Sequence, residues 1–86
     1  MFYAYILQSK KDKQLYVGST NDLRRRFAEH NKGLNSSTKN RIPFELVYYE
    51  AYRSEDDART REQNLKLRAN ALSQFKRRIK SSLKTN

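Results

Sequence analysis

Two short runs of strand character, FYAYILQ at residues 2–8 and QLYVGS at 14–19, follow one another across a polar connection. Both are rich in aromatic and β-branched residues. A parallel crossover needs a dozen or more residues, so runs this close together form an antiparallel hairpin. Along the first run Tyr3, Tyr5 and Leu7 point one way, and Phe2, Ala4 and Ile6 point the other. Both faces are apolar, so both need a covering layer. A four-residue loop at 9–12 sets Tyr5 opposite Tyr16, and a slip of one residue would separate them.

The cover comes from helices. Thr20, Asn21 or Asp22 can cap a helix that runs to Asn31 or Lys32 and stops at Gly33. Residues 33–42 read as a polar loop, after which Pro43 opens an extended segment and FELVYYEAY supplies a third strand. Ser54, with Asp57 three residues later, resembles a capping box. The helix that follows carries Ala58, Glu62, Leu65 and Ala69 on one stripe, and a last helix carries Leu72, Phe75, Ile79 and Leu83. The predicted architecture is α/β of the α+β kind: a small three-stranded, mainly antiparallel sheet flanked by helices, in the order β-β-α-β-α-α. At 86 residues the chain has room for one domain, taken as 1–86, and one modest core.

Charge narrows the function. The formal net charge is +10. The acids gather in residues 45–62, whereas residues 66–86 are basic and hold none. A one-sided basic surface favours polyanions, nucleic acid before an anionic membrane. No apolar run approaches a membrane span, and the N-terminus has its apolar stretch ahead of its charges, the wrong order for a signal peptide. Cysteine is absent and there is one histidine, which excludes a disulfide framework and a thiolate or His-rich zinc site. The plain expectation is a soluble cytoplasmic protein with a nucleic-acid partner and no membrane.

Polar residues then stand where apolar ones belong. Leu23, Arg26, Phe27 and His30 follow the i, i+3, i+4, i+7 spacing of one helix face, while Arg24 and Arg25 point elsewhere, to solvent. Glu62 is a carboxylate within an apolar row. Taken singly, each has an ordinary explanation: a solvated basic face for Arg26, a helix C-terminal charge for His30, pairing with Arg59 or Lys66 for Glu62, strand packing for Tyr5 and Tyr16. Taken together, polar groups converging from three elements suggest a catalytic site.

Tyr3-Ala4-Tyr5, Tyr16-Val17-Gly18, then Asn21-Asp22-Leu23 with Arg26, Phe27 and His30 resemble the GIY-YIG nuclease signature. Ala58, Arg61 and Glu62 are similar to the later stretch that carries the family's metal-binding glutamate. The chain looks most like the small single-domain bacterial members, related to the N-terminal nuclease domain of the excision-repair incision subunit. The sequence departs in two places. Tyr3-Ala4 replaces the first Gly-Ile pair, and a later family asparagine has no clear counterpart, since that region offers Gln74 with Asn70 earlier.

The resemblance implies a metal-dependent DNA endonuclease, structure-directed in repair or processing. It implies Tyr5 or Tyr16 as general base, Arg26 as a phosphate clamp, and His30 as an orienting or relaying group. Glu62 would be the ligand of one divalent cation, Mg²⁺ or Mn²⁺, with Arg26 as its expected counter-ion when no metal is bound. Arg24, Arg25, Lys39, Arg41, Lys76 and Arg77 are expected to grip the nucleic-acid backbone. The competing reading is a non-catalytic nucleic-acid-binding module that retains the nuclease fold.

Overall fold

A computed structural model describes residues 1–67. Strand β1 (Phe2–Ser9) is the centre of a three-stranded sheet in the order β2-β1-β3, with β2 at Leu15–Thr20 and β3 at Phe44–Tyr52. Both pairings are antiparallel. Helix α1 (Leu23–Asn31) lies between β2 and β3, and α2 (Glu55–Leu67) follows β3. The predicted order and the third strand are as read from the sequence. The last predicted helix, with Leu72, Phe75, Ile79 and Leu83, lies outside the described residues, as do Ala69, Asn70, Gln74, Lys76 and Arg77. Among the described residues, no helix is long and apolar enough to cross a membrane.

The alternation along β1 divides the core. Ile6 packs with Val17 and Leu65 on the α2 side, joined by Leu15, Val47 and Tyr48. Tyr5 and Leu7 pack with Phe44 on the other side, joined by Leu23 and Phe27 of α1 and by Tyr16, Ile42 and Leu46. Residues 4 to 9 of β1 are all buried, as befits a central strand covered on both faces. Two side chains fasten α1 and α2 to β3. Asn31 brackets the Phe44 backbone, accepting from its N–H at 2.6 Å and donating to its carbonyl at 3.1 Å. Glu50 accepts from Tyr48, Tyr52 and Arg61, the last being an α2 residue. Those hydrogen bonds outweigh the effect of burial and hold the Glu50 carboxyl below its ordinary range, while burial and the same carboxylate push Tyr52 up to about 12.

The hairpin register differs from the expectation. Tyr5 lies opposite Gly18, and Tyr16 lies opposite Leu7. The strand continues to Ser9, and the turn is closed by Ser9 N–H to Gln14 O at 3.0 Å and Lys13 N–H to Ser9 O at 3.0 Å, with Lys13 at φ 64°. Ser9 also shapes the turn through its hydroxyl, which accepts from the backbone N–H of Lys11 and Asp12. Moving a loop of fixed length by one residue shifts the pairing by two, so each side chain keeps its face. Tyr5 and Tyr16 therefore remain neighbours, with ring centroids 6.4 Å apart.

Candidate active site

Helix α1 delivers two of the expected groups. Asp22 caps it by accepting from the Arg25 N–H at 3.1 Å, and Gly33, at φ 75°, lets the chain leave just past the C-cap Lys32. This phase turns Leu23, Arg26, Phe27 and His30 towards the sheet and leaves Arg24 and Arg25 exposed. His30 is fully buried. Its Nε2 lies 3.0 Å from the Tyr5 hydroxyl and its Nδ1 lies 3.0 Å from Thr38 Oγ1. Its ring also meets Tyr16 edge-on, at 5.0 Å between centroids.

One assignment of protons satisfies every group in this chain. Thr38 donates to the Asn35 carbonyl at 3.5 Å, His30 donates through Nδ1 to Thr38, and Tyr5 donates to Nε2. It requires a neutral imidazole. Burial, and then the charge of Arg26, hold the His30 pKa below its ordinary value, in agreement. Burial pushes the Tyr5 phenol up to about 12 despite the hydrogen bond from Arg26, and Tyr16 and Glu62 add to the rise. Tyr5 is thus a neutral donor near pH 7, with Arg26 on one side and His30 on the other.

Gly18 makes this placement possible. A Cβ there would lie 2.5 Å from the Tyr5 hydroxyl oxygen and 2.7 Å from Cζ. The Tyr5 ring leans across the edge strand through the space a side chain would fill. Gly18 is required here by contact, whereas Gly33 is required by its dihedral angle.

Arg26 is half-buried. Its guanidinium reaches Glu29 Oε1 at 3.2 Å, one turn along its own helix. Burial alone would lower its pKa, but the hydrogen bonds with Tyr5 and Glu29 outweigh that and raise it. Glu62 comes from α2, on the other face of the sheet. Its side chain is 18% exposed. Oε1 accepts from the Ser19 hydroxyl at 2.5 Å, and Oε2 pairs with Lys66 Nζ at 2.6 Å. Of the partners expected for Glu62, Lys66 is the one observed, joined by Ser19, while Arg26 pairs with Glu29 and Arg59 with Glu55. Each charged group satisfies itself on its own side, and the Glu62 field still reaches Tyr5.

The expected backbone-gripping residues divide. Arg24, Arg25 and Lys39 are exposed. Arg41 is committed to the fold: it pairs with Asp12 at 2.8 Å and stacks on the Phe44 ring at 5.4 Å. The pair holds the Asp12 carboxyl down at about 2. Thr38, Ser19 and Glu29 are site neighbours that the sequence reading missed. Strand alternation signals Ser19, which shares the α2 face with Val17, and the i+3 spacing signals Glu29. Thr38 lies in a polar loop with no periodicity to reveal it.

Residues that fit a cation are few. Among the described residues no cluster of three or more His, Cys, Asp or Glu side chains could enclose a metal. His30 has both nitrogens engaged. The Glu62 carboxylate, partly exposed and oxygen-bearing, suits a hard ion that keeps several waters, as Mg²⁺ does when held by one or two carboxylates together with substrate phosphate.

Comparison with known proteins gives the family. The GIY-YIG catalytic domain matches residues 1–81. A UPF0213 protein of Clostridium perfringens is 42% identical over 67 residues, covering 77% of this chain and 71% of that protein. A UPF0213 protein of Streptococcus pyogenes serotype M5 is also 42% identical, covering 77% and 72%. The solution NMR structure of the UPF0213 protein BH0048 from Bacillus halodurans is similar with a TM-score of 0.54 and 34% identity, covering 87% of this chain and 81% of that one. Because the family model spans nearly the whole chain, the chain belongs to the GIY-YIG catalytic-domain family, and its function is of the nuclease type.

Proposed function

We propose that this chain is a DNA endonuclease that hydrolyses phosphodiester bonds with one divalent cation and selects its substrate by shape, in repair or processing of DNA. The observation that carries the reading is the chain from half-buried Arg26 through buried Tyr5, His30 and Thr38, passing over Gly18 at the edge of the sheet. A fold needing only a core would fill those positions with apolar groups.

The residues have separate tasks. Arg26, positively charged and held by Glu29, presents N–H donors to a phosphate oxygen and stabilises the charge that grows there during attack. As a water oxygen bonds to phosphorus, the Tyr5 oxygen takes the water's proton while its own proton passes to His30 Nε2. This relay avoids a free phenolate, which burial disfavours. Thr38 holds His30 in the tautomer that accepts at Nε2. The bond from phosphorus to the leaving oxygen breaks, and that oxygen takes a proton from solvent. Glu62 would hold a Mg²⁺ or Mn²⁺ ion, which when bound supplies Lewis-acid stabilisation of charge on the phosphate. Ser19 and Lys66 orient the carboxylate for that purpose. The exposed Arg24, Arg25 and Lys39 add affinity without reading sequence.

A panel of labelled single-stranded, branched and duplex DNAs, with Mg²⁺, Mn²⁺ or chelator, tests the proposal. Cation-dependent strand cleavage of at least one class is the expected result. Binding of all classes without cleavage would favour the non-catalytic module.

A further inference from the structure

On the opposite flank of α1 from Arg26 lies an open groove of about 480 Å³. Its walls are Leu23, Arg24 and Phe27 of α1, Tyr3 of β1, and Leu46 and Tyr49 of β3, with Asn21 and the carboxylate-bearing Asp22 just ahead of α1. At about 100° per residue, Arg24 sits on one side of Leu23 and Arg26 on the other, so the two faces are separated by one helix width of about 10–12 Å. Tyr3 and Tyr49 meet edge-on, at 6.0 Å between centroids and 64° between planes. Tyr49 is 53% exposed, unusual for a large aromatic residue at the wall of a groove. Arg24 is exposed, and among the described residues it forms no ion pair. The groove therefore combines aromatic rings, an apolar floor and the exposed Arg24, while the neighbouring Asp22 carboxylate is turned to the Arg25 N–H as helix cap, on a chain of net charge +10.

That combination matches one ligand chemistry. A nucleobase offers a flat π-face to an aromatic ring, and its phosphate offers an anion to arginine. A paired base in a duplex has both faces stacked and its Watson–Crick edge occupied, so it cannot enter. We propose that this groove receives one unpaired nucleobase of the substrate, stacked on Tyr49 with Tyr3 against its edge and the adjoining phosphate on Arg24, so that the chain prefers single-stranded or flapped nucleic acid to continuous duplex. The proposal rests on the nuclease reading for its substrate class and goes beyond it in naming the feature selected. The groove lies about three stacked-base steps of 3.4 Å from Arg26, close enough for one strand to occupy both.

The test measures binding apart from cleavage. The chain contains no tryptophan, so Tyr49→Trp introduces a single indole that can be excited apart from the tyrosines. With chelator present, a short single-stranded oligonucleotide quenches that emission, and a blunt duplex of the same sequence does not. In the otherwise unchanged chain, Tyr49→Ala weakens single-strand affinity by about 5-fold or more, the range of one lost stacking contact, with duplex affinity changed less than about 2-fold. Tyr49→Phe, which keeps the π-face, stays near the original affinity. Arg24→Ala weakens both and lowers the salt slope by about one unit.

Equal losses for single strand and duplex, or no loss for either, would overturn the proposal. So would a concentration-dependent dimer that Tyr49→Ala dissolves while oligonucleotide affinity is unchanged, since a second copy would then fill the groove. Because Tyr49 is half exposed, thermal melts of its variants should match the original chain. The two readings fail separately: absence of cleavage with intact Tyr49-dependent binding defeats only the nuclease, and cleavage with Tyr49-independent binding defeats only the groove.

Discussion

Gly18→Ala probes the centre of the site with one methyl group. The added Cβ would meet the Tyr5 hydroxyl oxygen at 2.5 Å, Cζ at 2.7 Å and Cε1 at 3.1 Å. Comfortable carbon contacts lie near 3.5–4.0 Å, so the ring must retreat by about 1 Å. It has nowhere to go, because Tyr5 is 1% exposed and its ring lies against Tyr16 and His30. Overpacking of this kind costs about 1–3 kcal/mol. Stretching the Tyr5–His30 hydrogen bond adds about 0.5–1.5 kcal/mol. Alanine's smaller unfolded-state entropy offsets about 0.4–1 kcal/mol. The net destabilisation is about 2 kcal/mol, which at this size lowers the Tm by about 8–16 °C. Melts followed by circular dichroism measure it, and repeating the substitution in a Tyr5→Phe background isolates the cause. Removing the hydroxyl deletes the nearest atom, so Gly18→Ala should cost about 1 kcal/mol less there, a coupling well inside the range for contacting residues. Equal costs in both backgrounds, or a change under about 0.5 kcal/mol in the original chain, would refute the steric argument.

Other outcomes follow from the same geometry. Tyr5→Phe should reduce single-turnover cleavage far more than Tyr16→Phe, because only Tyr5 carries the proton path to His30; equal losses would move the base assignment to Tyr16. Glu62→Gln should abolish cation-dependent cleavage while leaving the fold intact. Its pairing with half-exposed Lys66 is worth only about 0.3–0.5 kcal/mol, so a large drop in Tm would instead mark Glu62 as a structural residue. The depressed His30 pKa means that the unfolded chain binds a proton there before the folded one does. His30 therefore adds no pH dependence above about 6.5, and stability falls as pH drops through 6.5 towards the lower folded value. Asp12 acts separately, losing its contribution between its ordinary range and about pH 2. Denaturant melts from pH 8 to pH 5 should show the histidine decline, and His30→Gln should remove it. DNA affinity should fall steeply with salt, and a flat dependence would argue against a polyanion partner.

The parts of the fold read correctly from sequence are those governed by period and caps. The third strand was visible because Phe44–Tyr52 is a run of aromatic and β-branched residues after Pro43. Helix α1 was bracketed by Asp22 and Gly33, and its phase brought Arg26 and His30 to the sheet. The two-sided core followed from alternation in β1. Register was not legible, because shifting the turn by one residue moves the pairing by two and leaves the apolar pattern unchanged. The choice was made by Ser9 and by Lys13 at positive φ, which carry no periodic signal. For the same reason Thr38 was invisible: it reaches His30 from an irregular loop. The partners of charged groups are legible in part. For Glu62 the i+4 spacing points to Lys66, the pair that forms, whereas the alternative of Arg26 across the site gives way to Glu29 as the arginine's nearer partner.

In the proposed mechanism Arg26 and Glu62, each locally satisfied, act together in cleaving a phosphodiester bond. Single-turnover cleavage of a labelled flapped DNA in Mn²⁺, with affinity measured in parallel in chelator, tests it most directly. Arg26→Ala should slow cleavage by about 10²- to 10³-fold, as expected for losing one preorganised charge-stabilising donor, and Glu62→Gln should abolish it. Arg24→Ala and Arg25→Ala should mainly weaken binding, and none of the four should unfold the chain. Cleavage that survives both Arg26→Ala and Glu62→Gln, or loss of affinity that accounts for the whole effect, would contradict the account.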